Sequence, residues 1–595
     1  MRGTAVAAAL ASVLALVPGG ASAAAPHRAA AGPGTNYAVD DPFTAQRTAW
    51  WRDAKFGMFI HFGAYSYWGG EYTRPDGTLC QDAEWIVNRC KIPWPEYEAA
   101  ARRFNPANFD ANAIATLAKD TGQRYLVITS KHHDGYAMWP TKVNTWNLRD
   151  HSSLSKNRDL LAELKQAADA QRLKFGLYYS ITDWHNPNAQ NNFPAYKKDM
   201  YAQLKELVTN YHPATLWFDG QGRDWWTPAE AEELQTYLYG LDPNLIINNR
   251  VGKRRVVDGD HQTPERHQNI PLAPMAGAPW ESCITTSNRW GWARYDTAFK
   301  PSSQLTRFLL DIVGRDGNML LNIGPDSNGV IPAGAASSLR GIGQWIGTAD
   351  HSAAVYGATT TDLVADPAWG AVSRKGDRLY LSVYDWPSAG GPVHLTAHDS
   401  FGVSAARVLG SGQAVTWQKA GDGFDITLAG AATNPIATVI ELTVSLPTPI
   451  SGTGTGLTGR YWKNRAFSGT PALTRTDRTL NFAWRTKGSP APAIPVDTFS
   501  ARWTGSVQAQ FTGPHTFQTV SDETVKVWVD GKVVIDNTTD HKAAVNKGVV
   551  NLVAGRKYAI RIDYTEGTGE AYLKLQWSNP NRKQRIIPTS QLHPA

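Results

Sequence analysis

Between residue 55 and about residue 325, short strand-like runs alternate with amphipathic helix-like stretches. "KFGMFIHFG", "RYLVITS", "KFGLYYS", "ATLWFDG" and "NLIINNR" read as buried strands. Between them, Leu160, Leu161, Leu164 and Ala168 recur at helical spacing, as do Tyr201, Leu204, Leu207 and Val208. Alternation of this kind makes a parallel sheet covered by helices. The number of repeats predicts a (β/α)8-type barrel over residues 36–350 rather than an open sheet. The active site of such a barrel lies at the C-terminal ends of its strands.

After about residue 351 the pattern becomes all-β. "DRLYLSVYDW", "DGFDITLA" and "ATVIELTV" alternate between turn residues and predict a small β-sandwich over 351–446. The stretch "SLPTPISGTGTG" supplies a linker at 447–456. Strand patterns then resume and predict a second all-β module over 457–595.

A chain of 595 residues is too long for a single core, in keeping with several domains. The N-terminus "MRGTAVAAALASVLALVPGGASAAAP" has one basic residue, a short apolar run and a small-residue site, and predicts a signal peptide over residues 1–25. No later apolar run is long enough to span a bilayer. A secreted, extracellular protein with no membrane partner is expected. The net charge of +7 is scattered, without a Lys/Arg block, so nucleic acid is not an expected partner. Cys80 and Cys90 are ten apart and can bridge a loop in an oxidising compartment, which leaves Cys283 over.

The strand ends carry the chemistry. The first ends in His61 and the second in His132, His133 and Asp134. The third ends in Tyr178 and Tyr179, the fourth in Trp217 and Asp219, the fifth in Asn248, Asn249 and Arg250. Glu265 follows in "GDHQTPERH", a segment that reads as a loop, and Glu281 in the apolar "PWESC". A metal centre on His61, His132 and Asp219 is conceivable, but no HxH or HExxH spacing supports it. A sugar pocket fits the set better: hydroxyls need bidentate donors and acceptors, and ring faces need Trp or Tyr. The 23 Trp of the chain suit that use. Glycosyl transfer to water needs two carboxyl groups, one ionised and one able to donate a proton.

Five ordered motifs, "FGMFIHFGAYSYWGGEY", "YLVITSKHHDGYAMW", "FGLYYS", "LWFDG" and "GNMLLNIGPDSNGVIP", resemble the α-L-fucosidases of glycoside hydrolase family 29. The resemblance runs from about residue 40 to 445. It implies an exo-acting, retaining hydrolase of terminal α-L-fucose that needs no metal. By the same resemblance Asp219 is the nucleophile. His61, Glu71, His132, His133, Tyr178, Trp217 and Arg250 hold fucose hydroxyls or position the nucleophile, and Trp290 packs on the fucose methyl. Tyr179 stands beside Tyr178 as an alternative. Two segments compete for the general acid/base: Glu265 is preferred and Glu281 is the runner-up.

Residues 457–595 resemble the protective-antigen-like β-sandwich module, which implies glycan binding and sometimes calcium held by adjacent aspartates. Here Asp522 is followed by Glu523, so the usual aspartate pair is incomplete. The module is either a carbohydrate-binding unit or a spacer. The expected partners are fucosylated glycans, with a lean toward α-1,3/1,4 linkages by analogy alone. A non-catalytic fucose-binding lectin or adhesin is the alternative, and a glycosidase for another sugar a third reading.

Overall fold

The computed structural model describes residues 42–595 apart from 254–258, 266–278, 349, 362, 388–390, 398–400, 429–432, 446–447, 485–487, 542–543 and 580–581. The signal peptide predicted at 1–25 lies outside the described residues.

Seven parallel strands form the catalytic sheet: Phe56–Ile60, Tyr125–Lys131, Lys174–Ser180, Thr215–Asp219, Ile246–Ile247, Trp280–Thr285 and Gly317–Ile323. Counted in that order, they are hydrogen-bonded fifth, fourth, third, second, first, seventh, sixth. The two edges of this sheet are joined by residues 259–265. Asn248 bridges to His261, Gln262 to Trp280 and Glu265 to Cys283, all in parallel sense. The "GDHQTPE" segment is therefore an irregular barrel stave, not the free loop its sequence suggests. With it in place the ring closes in chain order, as a (β/α)8 barrel requires.

The strands are apolar because both faces are covered, by the barrel interior on one side and helices on the other. Helices begin where the sequence offers a cap. Asp110 accepts from Ala113 N–H, and Asp159 accepts from Leu161 and Ala162 N–H. Leu160, Leu161, Leu164 and Ala168 are buried along one face of Leu160–Ala170, and Leu204, Leu207 and Val208 along Phe193–Tyr211. The barrel staves also meet a buried ion pair. Asp260 accepts from Arg47 Nε (2.9 Å), from Tyr239 Oη (3.0 Å) and from the Ile247 amide (2.9 Å). This ties the first helix, Pro42–Ala54, to the closing stave.

Past the barrel, a four-stranded and a three-stranded antiparallel sheet pack Leu379, Leu381, Leu395, Ile426, Ile440 and Leu442 between them. Arg307 of the barrel helix Ser302–Gly314 fastens this sandwich, donating to Ile436 O, Tyr384 O and the Asp385 carboxylate. The C-terminal module is a second pair of antiparallel sheets around Trp503, Phe517, Tyr564 and Trp577. The predicted linker is not free along its whole length. Ile450, Gly454 and Gly456 donate backbone hydrogen bonds to Gln510, Ser590 and Leu592, so from Ile450 onward it lies along the module.

Asp260 has no exposed side-chain surface and Arg47 only 8%. Asp260→Ala should take from the buried Arg47 guanidinium its carboxylate partner, at a cost of roughly 3–5 kcal/mol. Calorimetry should show the barrel transition moved down while the C-terminal module melts unchanged. An unmoved barrel transition would show that the stave closes without this pair.

Candidate active site

The C-terminal ends of the strands open into a cavity of roughly 960 Å³. Its lining includes His61, His132, His133, Tyr178, Trp217, Asp219, Arg250, Glu265 and Trp290. It also includes Glu84 and Trp85, which the sequence reading did not select.

The "KHHD" run divides between two faces. A register shift between Thr129 and Lys131 marks a bulge at the end of the second strand. Bulges re-aim side chains and favour active-site edges. Lys131 turns to Asp183 (3.4 Å) and the Tyr196 hydroxyl (3.1 Å), away from the cavity. Asp134 accepts from Tyr97 Oη at 2.7 Å, and burial raises its carboxyl to about 6 despite that bond. Only the two histidines line the cavity. The turn after them needs Gly135, whose φ is +74° and whose Cβ would meet Asp183 Oδ1 at 2.2 Å.

The histidines have assignable tautomers. Asn322 donates to Trp290 O (2.8 Å), so its oxygen faces His61 Nδ1 (2.7 Å). His61 Nδ1 therefore carries the proton and Nε2 is a bare acceptor. Ser180 spends its hydrogen on Thr182 O (2.6 Å), so it accepts from His133 Nδ1 (2.7 Å). His133 Nε2 is then also an acceptor, 3.6 Å from Asp219 Oδ2. Burial lowers the pKa of His61 to about 4, against the opposing pull of Asn322 and Asp219. Burial likewise lowers His133, and lowers His132 further with help from its two histidine neighbours. All three imidazoles are neutral at ordinary pH.

Asp219 ends the fourth strand. Its Oδ1 accepts from Arg250 Nη1 (3.0 Å) and its Oδ2 from Tyr178 Oη (3.1 Å). Burial pushes its pKa up, but Arg250, by its charge and its hydrogen bond, and the Gly220 N–H outweigh this and bring it to about 2. The same Arg250 Nη1 donates to Glu265 Oε1 at 3.2 Å. Tyr178, not Tyr179, belongs to the site. Tyr179 faces outward, donating to Gln203 (2.7 Å), with Lys131 over its ring.

Aromatic rings make the walls. Trp217 stacks with Tyr178 at 5.6 Å and 17°, and Tyr178 stacks with His132 at 5.4 Å and 9°. Trp290 leans on His61 at 5.1 Å. Trp85 and Trp184 pack edge-on to each other and both against His133.

Two residues singled out in the sequence lie elsewhere. Glu71 sits in the hairpin Glu71–Thr73/Leu79–Gln81, where it accepts from Gln81 and Arg294, outside the cavity lining. The acid that reaches the cavity from this region is Glu84. It accepts from the Gly291 N–H (3.0 Å), beside Trp290, and burial raises its pKa. Cys80 and Cys90 are disulfide-bonded and close the loop that carries Asp82, Glu84, Trp85, Asn88 and Arg89 to the rim. An acid next to a Trp within a Cys-closed loop, "DAEW", was the available signal. Glu281 is the second displaced residue. It lies within the barrel, 1% exposed, and accepts from Trp51, Trp217 and Tyr125. It does not line the cavity, so its runner-up role as acid/base has no geometric support. Cys283 is a buried free thiol. Among the described residues, no three His, Cys, Asp or Glu side chains converge as a metal site.

Residues 27–350 match the Alpha-L-fucosidase family profile, and residues 454–591 match the PA14 domain. The chain belongs to the α-L-fucosidase family. It is a glycoside hydrolase acting on fucosylated substrates, with a protective-antigen-like module at its C-terminus. An α-L-fucosidase of Branchiostoma floridae is 29% identical over 65% of this chain and 90% of its own length. The structure of α-L-fucosidase isoenzyme 1 from Paenibacillus thiaminolyticus superposes with a TM-score of 0.60 and 31% identity, covering 68% of this chain and all of that one. A GH29 α-L-fucosidase of Bacteroides thetaiotaomicron, described as a trapped covalent intermediate with 2-fluoro-fucosyl fluoride, gives 0.61 and 27%, over 67% and 96%.

The neutral histidines set the pH behaviour. His61 gains a proton only below about 4, when Nε2 ceases to accept. For this fucosidase, kcat/KM on an aryl α-L-fucoside should show no His61 ionisation between about pH 5 and pH 7. It should fall about tenfold per unit once pH drops below about 4. A limb near the ordinary histidine value that vanishes in His61→Asn would refute the neutral assignment.

Proposed function

We propose that the chain is a secreted, exo-acting, retaining α-L-fucosidase working through Asp219 and Glu265. The observation that carries this is the sharing of one nitrogen. Arg250 Nη1 holds an oxygen of each carboxylate, which caps the separation of those oxygens at the sum of 3.0 and 3.2 Å. Inverting pairs begin at about 6.5 Å and retaining pairs stand at about 5–5.5 Å, so the geometry supports double displacement. The trapped intermediate described for the Bacteroides relative points the same way.

In the first step ionised Asp219 attacks the anomeric carbon while Glu265 hands a proton to the departing glycosidic oxygen. In the second, Glu265 takes a proton from water, whose oxygen displaces Asp219 from the anomeric carbon. The low pKa of Asp219 keeps it a carboxylate throughout the working range. His61 and His133 offer bare Nε2 acceptors to sugar hydroxyls, Trp290 an apolar face to the methyl group, and Glu84 a further acceptor. His132 and Trp217 complete the wall. No step calls for a metal, so turnover should survive chelation. The calcium role considered for Asp522 and Glu523 would concern the C-terminal module alone.

The cavity lining also includes Asp82, Asn88, Arg89, Asn288 and Arg289, polar groups available to a sugar beyond the fucose. The α-1,3/1,4 preference is proposed by analogy with the barrel motifs. Release of fucose from α-1,3/1,4-linked oligosaccharides faster than from α-1,2-linked ones is the expected outcome, and the reverse order would overturn the linkage reading.

Asp219→Gly should lose several orders of magnitude in turnover, and azide should restore part of it as the inverted β-fucosyl azide. Glu265→Ala should slow a sugar leaving group far more than an activated aryl one, and azide should give the retained α-fucosyl azide. Product stereochemistry by NMR checks both, and wild-type turnover of either variant would end its assignment. A version of the chain ending at residue 447 should keep full activity on small soluble fucosides. Weaker binding to glycan-coated surfaces would mark the module as a targeting unit, and unchanged binding as a spacer.

A further inference from the structure

We propose that Glu281 is a positioning residue that orders the nucleophile's hydrogen-bond donors through the Trp217 indole. The inference rests on Asp219 acting as the nucleophile. Glu281 Oε1 accepts from Trp217 Nε1 at 3.2 Å. Its Oε2 accepts from Trp51 Nε1 at 3.1 Å and from the Tyr125 hydroxyl. His261 Nε2, on the closing stave, stands 3.7 Å from Oε1. Three N–H and O–H donors thus converge on a side chain 2% exposed.

A carboxyl group in a barrel core is costly, and an apolar residue there is often no worse for stability. The gain lies in what the Trp217 N–H is attached to. The Trp217 ring stacks with Tyr178, and the Arg250 guanidinium lies 4.8 Å from its centre. Tyr178 and Arg250 are the two side chains that donate to Asp219. Fixing the indole therefore fixes the spacing of both donors around the nucleophile. Among the described residues Glu281 alone accepts from Trp217 Nε1 and so opposes rotation of the ring at its polar edge.

The strand that bears Glu281 also supports the other carboxylate. Glu281 N–H donates to Gln262 O (2.8 Å), and two residues on, Cys283 pairs with Glu265. One strand thus aligns the nucleophile's donors with its side chain and the acid's stave with its backbone.

The test is a double-mutant cycle of Glu281→Gln and Trp217→Phe in the full chain, assayed on para-nitrophenyl α-L-fucoside and on a fucosyl disaccharide. Gln keeps the volume but turns an acceptor oxygen into an N–H2 facing N–H donors, and Phe removes the N–H. Glu281→Gln should lower kcat/KM by roughly 10- to 100-fold, the scale of a small misplacement of reacting groups. The factor should be equal for both leaving groups, with no fucosyl azide formed. The double variant should be no slower than the slower single one. Below about pH 4, where His61 already lowers kcat/KM about tenfold per unit, both singles should fall more steeply, because Asp219 with loosened donors then binds a proton in the same range. Asp219 is faced by Arg250, Tyr178, His133, His61 and, through Arg250, Glu265, and only the first two are held by Trp217.

Multiplying losses would overturn the proposal, since Glu281 would then act independently of Trp217. A loss confined to the sugar leaving group, with α-fucosyl azide formed, would also overturn it and make Glu281 the acid. Should Glu281→Gln not fold, Trp217→Phe alone decides: an acid limb no steeper than that of the unaltered protein sinks the idea. Failure of azide rescue in Asp219→Gly would instead strike the underlying nucleophile assignment.

Discussion

Arg250 is the charge on which the site depends. Its Nη1 reaches both Asp219 and Glu265, while Nε donates to Thr263 Oγ1 (3.0 Å) and Nη2 to Thr263 O (3.3 Å). Two carboxylates this close would repel each other, and one would be driven to bind a proton. A guanidinium between them removes that conflict and lets Asp219 stay ionised at a strand end that is mostly dry. Burial works against the charge of Arg250 itself, and Asp219 and then Glu265 more than restore it. A planar fork suits this better than an ammonium would. It bonds two acids, a hydroxyl and a backbone oxygen while its central carbon lies over Trp217.

The same arginine explains the odd stave beside it. Residues 259–265 must pass close to the fifth strand and bring Thr263 and Glu265 to Arg250. At Gly259, φ is +73°, and a Cβ would stand 2.4 Å from Asn248 O. At Pro264 there is no N–H to give a neighbour, so the ladder is broken into isolated bridges. The barrel closes through a segment whose regularity has been given up in order to aim Thr263 and Glu265.

That trade is why parts of this protein were legible in sequence and others were not. The regular strands showed as apolar runs because they are covered on both faces, and their ends showed His61, His132, His133, Tyr178, Trp217, Asp219 and Arg250 together. The closing stave lacks an apolar run, carries Gly and Pro, and reads as a loop. Glu71 and Glu84 illustrate a different limit. Both are acids in the same rim excursion, and residue type alone does not say which faces inward. The hairpin turns Glu71 to Arg294, and the disulfide-closed loop turns Glu84 to the cavity. Glu281 illustrates a third. Its apolar neighbours foretold burial, and burial was compatible with an acid, but only the three converging donors show that the carboxyl is already occupied.

The paired histidines at the end of the second strand have their reason in desolvation. An imidazole in water is half-charged near neutrality, and its nitrogens exchange roles freely. Here burial holds all three rings neutral, and for His61 and His133 a hydrogen-bond acceptor on Nδ1 fixes which nitrogen is bare. A bare Nε2 beside Asp219 Oδ2 is a poor arrangement when empty, because two acceptors face each other across 3.6 Å. A hydroxyl group placed between them can donate to one and keep its oxygen for a third partner. The pocket is thus unsatisfied in a way that a polyol relieves and a hydrocarbon does not. The same burial that leaves these nitrogens bare keeps the imidazoles neutral near pH 7.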